Sequence, residues 1–183
     1  MNKKILGLFD KYFVRDPWKK ARFYKKHNYL HSIGEDCYIA IHIWHNESYL
    51  ISIGNNVWIT SDVQIINHDA SVSVVQKALN YPGMDKVGKL VIGDNVFIGN
   101  KCIIMPGVEI GNNCVIGAGT VVTKSIPSDS VVAGNPMKII SSFSEYADKC
   151  LSHSNNYPWI NTHFAQQIYD LRMKYFWEEG HFK

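Results

Sequence analysis

From Ile92 onward an aliphatic residue returns at every sixth position: Ile92, Ile98, Ile104, Ile110, Ile116 and Val122. A small residue usually follows it, as at Gly93, Gly99, Gly111 and Gly117. Four positions after each aliphatic stands another compact residue: Val96, Cys102, Val108, Cys114, Thr120 and Ile126. The same phase runs earlier through Ile53, Ile59 and Ile65, with Val57 and Val63, and more faintly through Ile33 and Ile39. This period is neither the 3.6 of an amphipathic helix nor the 2 of a half-buried strand. A fixed short repeat marks a solenoid, and six-residue units predict a parallel β-helix. Each unit is a short strand with an inward aliphatic side chain, followed by a corner where a small residue avoids crowding. Three units close a triangular coil of about 18 residues, and coils stack at the strand spacing of roughly 4.8 Å. Val96 and Cys114 then lie one above the other inside.

The phase stops after I65-I-N-H-D-A70 and resumes some twenty residues later. A solenoid accepts an insertion at a corner without disturbing its stack. Residues 69–89 therefore read as a loop extruded from the coil, with His68 at its root.

The flanks differ from the repeats. Residues 1–26 hold nine Lys and Arg against two acids, and the remainder of the 183-residue chain holds ten against fourteen. The N-terminal piece thus carries +7 and the rest −4, which together give the net charge of +3. Ile5, Leu6, Phe9, Tyr12 and Phe13 fall at helical spacing, so residues 1–30 read as a basic amphipathic helical segment that Pro17 ends or restarts. Such a segment serves as a cap for the solenoid or as a peripheral membrane contact through residues 1–26. No nucleic-acid motif accompanies the charge. At the other end, Phe164, Ile168, Leu171 and Tyr175 form a helical stripe. Residues 141–183 read as a helical segment, with helices at 144–151 and 162–178 covering the last coils. The β-helix proper spans 31–140.

No run of eighteen apolar residues predicts a transmembrane helix. The basic N-terminus lacks the apolar region and cleavage site of a secretory signal. Cys37, Cys102 and Cys114 fall on inward positions and read as reduced core residues. A cytoplasmic protein, with the inner membrane surface as a possible station, is expected.

The stretch from Ile92 to Pro127, with V-V-A-G-N-P-M-K-I-I after it and S-I-G-N-N-V-W-I-T-S-D-V-Q-I-I-N-H-D before it, resembles the hexapeptide-repeat acyltransferases. The combination of I-G-A-G, V-V-T-K and A-G-N-P is similar to the acetyl-CoA branch. The N-H-D loop root looks like sugar and bacterial polysaccharide O-acetyltransferases of the galactoside, maltose, capsule and colanic-acid kind. The resemblance covers roughly residues 33–140. It implies a left-handed β-helix, a homotrimer with active sites between subunits, acetyl-CoA as acetyl donor, a sugar or glycan acceptor and no metal.

At residue level the resemblance makes His68 the catalytic base. Its role suits the chemistry, because a hydroxyl attacks a thioester well only as its proton leaves, and histidine is neutral near working pH. Asp69 orients the imidazole, contacts substrate or simply builds the loop; neighbours in an extended segment point to opposite faces, so pairing with His68 does not follow. Trp58 offers a stacking face to a sugar or packs between subunits. Tyr81, in the loop, is a second aromatic candidate for the acceptor. His42 and His45 lie on the earlier coil, where two extra residues before Ile53 disturb the register, and no role is carried to them. On the donor side the resemblance assigns Asn100 to the neighbourhood of the thioester and Ala118 to the pantetheine amides. It brings Thr123, Lys124 and Lys138 to the nucleotide phosphates, which lysines meet as flexible point charges.

Other readings compete. A xenobiotic O-acetyltransferase of the streptogramin or chloramphenicol type and an amino-sugar N-acetyltransferase share the fold and the base. A γ-type carbonic anhydrase needs three zinc-binding histidines on the coils, and His68 has no close coil partner. A non-enzymatic β-helix scaffold needs neither the loop nor His68.

Overall fold

The computed structural model describes residues 2–44 and 46–181; His45 lies outside the described residues. Residues 1–143 form one compact unit and residues 144–183 a second.

In the first unit the six-residue period becomes three parallel sheets visited in turn. Sheet A holds β1 (Ser32–Ile33), β3 (Ile51–Ile53), β6 (Leu90–Ile92) and β9 (Glu109–Ile110). Sheet B holds β2 (Tyr38–Ile39), β4 (Val57–Ile59), β7 (Val96–Ile98), β10 (Cys114–Ile116) and β12 (Ser130–Ala133). Sheet C holds β5 (Gln64–Ile65), β8 (Ile103–Ile104) and β11 (Val121–Val122). The chain runs A, B, C in order, so every inward aliphatic of one coil stacks on that of the next. Ile59, Ile98 and Ile116 share one column and are fully buried, as are Ile104 and Val122 in sheet C. Burying such a side chain is worth about 1.5–3 kcal/mol. Cys37, Cys102 and Cys114 are buried free thiols, and desolvation pushes each above its ordinary value.

One corner explains the recurring Asn and Asp. Asn56, Asn95, Asn113 and Asp129 all adopt positive φ, which short polar side chains tolerate. Each of the three asparagines donates its side-chain amide to the next residue's side-chain oxygen, at 3.0, 2.9 and 2.8 Å. The result is a polar ladder that ties the coils together along the axis.

Register locates the departures from the repeat. Val96 pairs with Cys114, 18 residues on. Val57 pairs with Val96 and Gln64 with Ile103, both 39 apart, so 39 − 18 = 21 residues leave the coil between β5 and β6. Within that excursion lies α3 (Val72–Leu79), none of whose residues is buried. Sequence periodicity predicts only loop here, because a helix that buries no residue leaves no core-facing stripe. Tyr38 pairs with Trp58 at a separation of 20, the two extra residues expected in the first coil. A 3₁₀ turn at Ser48–Leu50 leads directly into β3, and among the described residues the first coil adds no strand to sheet C.

Two helices close the N-terminal end. α1 spans Lys3–Phe13 and is capped by Asn2, whose side chain accepts from the Lys4 amide. α2 spans Pro17–Lys26, with Pro17 in its first turn and Asp16 accepting from the Lys19 amide at 2.7 Å. Ala21 and Tyr24 of α2 join the solenoid core. In α1 only Leu6, Gly7 and Asp10 are buried. Ile5, Phe9, Tyr12 and Phe13 face outward, so the sequence stripe is not the buried face. At the C-terminal end of this unit β13 (Lys138–Ser142) turns back antiparallel onto β12 and covers that edge of sheet B.

The second unit contains α4 (Phe143–Asn155, which begins at the boundary) and α5 (Ala165–Met173), followed by a π-helical turn at Lys174–Glu178. Tyr157, Trp159, Tyr175 and Phe176 cluster there, and the Arg172 guanidinium lies 5.4 Å from the Trp159 ring centre.

Candidate active site

His68 stands two residues beyond Ile66, whose amide bonds the Ile104 carbonyl and is the last of the coil ladder before the excursion. Beyond it the two arms of the loop zip together. His68 pairs antiparallel with Val87, the Asp69 amide donates to the Lys86 carbonyl at 2.8 Å, and the Gly88 amide donates to the Asn67 carbonyl at 2.9 Å. The root of the loop is thus a short rigid hairpin, and its side chain of interest is fixed on both arms.

The imidazole of His68 is half-exposed. Its Nδ1 lies 3.1 Å from Glu47 Oε1, and its Nε2 lies 3.7 Å from Asp85 Oδ1. The Asn67 side chain donates to the Glu47 carbonyl at 2.8 Å, which anchors the same acidic residue by its backbone. With Nδ1–H donating to the Glu47 carboxylate, Nε2 is the nitrogen that carries the lone pair, the tautomer that a base requires. Glu47 comes from the first coil and Asp85 from the returning arm of the loop, so no local motif announces either.

Asp69, beside the histidine in sequence, is engaged elsewhere. Its carboxylate meets the Lys86 ammonium at 2.5 Å and accepts from the Ser71 amide at 3.0 Å. These contacts, Lys86 foremost, hold its pKa well below the usual carboxylate range. The structure brings Asp69 to the loop hairpin, and the carboxylate touching His68 is Glu47.

Next to this root is a cleft of about 300 Å³; His42, Trp44, Gln64 and Asn67 are among its walls. His42 makes a second histidine–carboxylate contact. Its Nδ1 lies 2.6 Å from Oδ2 of Asp10, a fully buried residue of α1. The same oxygen accepts from the Tyr24 hydroxyl at 2.6 Å, and Lys20 Nζ lies 3.8 Å from Oδ1. Lys20 also donates to the Ile41 carbonyl, so the buried charges are held from both the helices and the coil. Burial, with the charge of Asp10, raises the Tyr24 and Tyr29 hydroxyls far above their ordinary values, so both remain donors. Sequence reading passed over Asp10. Its one visible signal is an acid four residues from Leu6 on what proves to be the inward face of α1.

The remaining candidates divide by corner. Asn100 and Ala118 precede strands β8 and β11, one coil apart, and the Gly119 amide donates to the Asn100 carbonyl at 2.8 Å. Both are exposed. Contact between these coils is close enough that a Cβ on Gly99 would stand 2.6 Å from the Ala118 nitrogen. Lys138 pairs with Ala133, which continues this same edge. Thr123 and Lys124 instead follow β11, on the edge of sheet C where His68 follows β5, two coils away. Within one chain, then, His68, Thr123 and Lys124 flank one side of sheet C, and Asn100, Ala118 and Lys138 the other. Trp58 lies on sheet B, stacked on Tyr38 at 4.9 Å and met edge-on by Trp18 at 5.2 Å. Tyr81 is exposed just beyond α3. Among the described residues no group of three or more His, Cys, Asp and Glu is arranged to hold a metal ion.

Comparison with known proteins places this geometry. The family described as "Bacterial transferase hexapeptide (six repeats)" matches residues 89–124. Protein CapG of Staphylococcus aureus is 44% identical over 126 residues, which are 67% of this chain and 72% of that protein. The galactoside O-acetyltransferase of Escherichia coli K12 is 34% identical over 67% of this chain and 59% of its own length. Among solved structures, a galactoside acetyltransferase in complex with coenzyme A is similar with a TM-score of 0.58 and 26% identity, covering 80% of this chain and 81% of that one.

Proposed function

Because the chain belongs to the hexapeptide-repeat transferase family, we propose that it is an acetyltransferase that moves the acetyl group of acetyl-CoA to a hydroxyl of a sugar or bacterial glycan. The observation that carries this reading is His68, fixed at the loop root with Nδ1 on Glu47 and Nε2 3.7 Å from Asp85 Oδ1. Galactoside O-acetyltransferase among the relatives supports the sugar class, and the coenzyme A complex among the similar structures supports the donor.

In this reading His68 Nε2 takes the acceptor hydroxyl proton as the oxygen attacks the thioester carbonyl. Glu47 and Asp85 flank the imidazolium that forms. Backbone N–H groups of a facing coil steady the oxyanion. Collapse expels the coenzyme A thiolate, which recovers the proton from His68, so no acyl-enzyme forms. Asp69 keeps the loop root closed through Lys86 rather than touching the reacting atoms. Tyr81, on the loop, and Trp58 are the aromatic surfaces available to the acceptor or to a neighbouring subunit.

The hexapeptide-repeat family supports a left-handed β-helix, and the split of residues across sheet C favours its assembly as a homotrimer. A neighbouring copy would set its own Asn100–Ala118–Lys138 edge against the His68–Thr123–Lys124 edge, with the donor between them. Ala118 offers exposed backbone to the pantetheine amides, Asn100 a side chain near the thioester, and Lys124 and Lys138 cations for the phosphates. The cytoplasm, where buried thiols stay reduced and acetyl-CoA is available, is the compartment this reading assigns.

The test is release of thiol from acetyl-CoA with a panel of sugars, for the wild type and His68→Ala. Acceptor-dependent release should fall about 10²–10⁴-fold in the variant. Release that survives the substitution would move the base elsewhere. No coenzyme A binding and no release with any acceptor would remove the reading.

A further inference from the structure

α1 has two opposed faces. Leu6, Gly7 and Asp10 point inward and are buried. Ile5, Leu8 and Tyr12 are spaced by three and four residues, so they share the opposite face. They are 56%, 53% and 60% exposed. Phe9 and Phe13, stacked on each other at 5.1 Å, widen the same surface and are also exposed. An 11-residue helix thus shows solvent five large apolar side chains with no charged residue between them. A soluble surface seldom leaves such a row uncovered unless it is a contact site.

Cations border it on both sides. Lys4 and Lys11 lie along one flank. On the other, an open groove between α1 and α2 combines Phe9 and Phe13 with Arg15, Lys19, Arg22 and Lys26. None of these six cations has an ion-pair partner among the described residues. Residues 1–26 carry +7 while the rest of the chain carries −4. An apolar, aromatic row fringed by unpaired cations is the complement of an anionic lipid surface: the row enters the headgroup–acyl boundary and the cations meet the headgroups. No helix among the described residues is long and apolar enough to cross a membrane, so the contact would lie in the plane of the surface.

We propose that the outer face of α1, with the basic groove beside it, docks the protein onto anionic bilayers. Docking is independent of the chemistry at His68. It would hold the enzyme at a lipid surface, where an acceptor attached to lipid is concentrated.

The test is sedimentation of the full chain with vesicles of phosphatidylcholine alone and with added phosphatidylglycerol. One variant is Ile5→Ser/Leu8→Ser/Tyr12→Ser, all outward positions; a second is Lys4→Glu/Lys11→Glu/Arg15→Glu. Thermal melting and thiol release serve as controls for folding. The wild type should pellet with phosphatidylglycerol vesicles, less so as salt is raised, and each variant should partition at least about tenfold more weakly with melting and activity retained. Wild-type protein that stays in the supernatant, or a serine variant that pellets equally, overturns the proposal. So does a serine variant that only lowers the mass seen by ultracentrifugation, which would assign the face to a second copy of the chain.

Discussion

Asp10 is fully buried, yet three groups from one helix and a coil converge on it: Lys20 and Tyr24 of α2, and His42. Its Oδ1 accepts no hydrogen bond from the described residues and faces Lys20 at 3.8 Å. Removing the carboxylate leaves Lys20 without its counter-charge and His42 without its polar partner. Asp10→Ala should therefore cost about 3–5 kcal/mol in stability, read by urea denaturation. The cluster also has a pH signature. The folded protein keeps Tyr24 and Tyr29 protonated, by burial and by the charge of Asp10, beyond the ordinary value of 10.0 at which the unfolded chain ionises them. That stabilisation is complete below pH 10 and is lost as pH rises above it. Stability should fall through the alkaline range, and Tyr24→Phe should flatten the fall, as followed by denaturation midpoints against pH. None of this was readable in the chain. Asp10 and His42 are 32 residues apart, and the two extra residues of the first coil hide which way His42 points. The place of His68 at the loop root was readable, because a strict period ends there.

At the scale of elements, the β-helix was the most readable part, for a physical reason. Each coil meets only its neighbours, so the same requirement for an inward aliphatic and a tight corner is written into every unit. Helix α3 has no such constraint. It is eight residues long with none buried, and its valines give no core-facing stripe. The excursion that contains it leaves all three sheets in register. Replacing residues 70–85 by a short turn, while keeping the hairpin of 67–69 with 86–88, should then leave the thermal midpoint of the β-helix nearly unchanged. The same change removes Tyr81 and Asp85, which stands 3.7 Å from His68 Nε2, and should reduce acceptor-dependent thiol release by at least about tenfold. A large fall in melting temperature would instead make the loop part of the fold.

For the whole molecule, the division of candidate residues across sheet C gives a test of assembly. If the donor lies between two copies, His68→Ala and Ala118→Trp inactivate different halves of a site. Refolding the two inactive variants together should restore thiol release, because some interfaces pair an intact His68 edge with an intact Ala118 edge. No restoration would put both halves in one chain. The ladder of coils has one more consequence. His68 and Lys124 border the same edge two coils apart, a distance set by strand spacing at roughly 4.8 Å per coil. The stack is a ruler graduated in coils: gaining or losing one between β5 and β11 would change by one graduation the separation of His68 and Lys124, with both residues untouched.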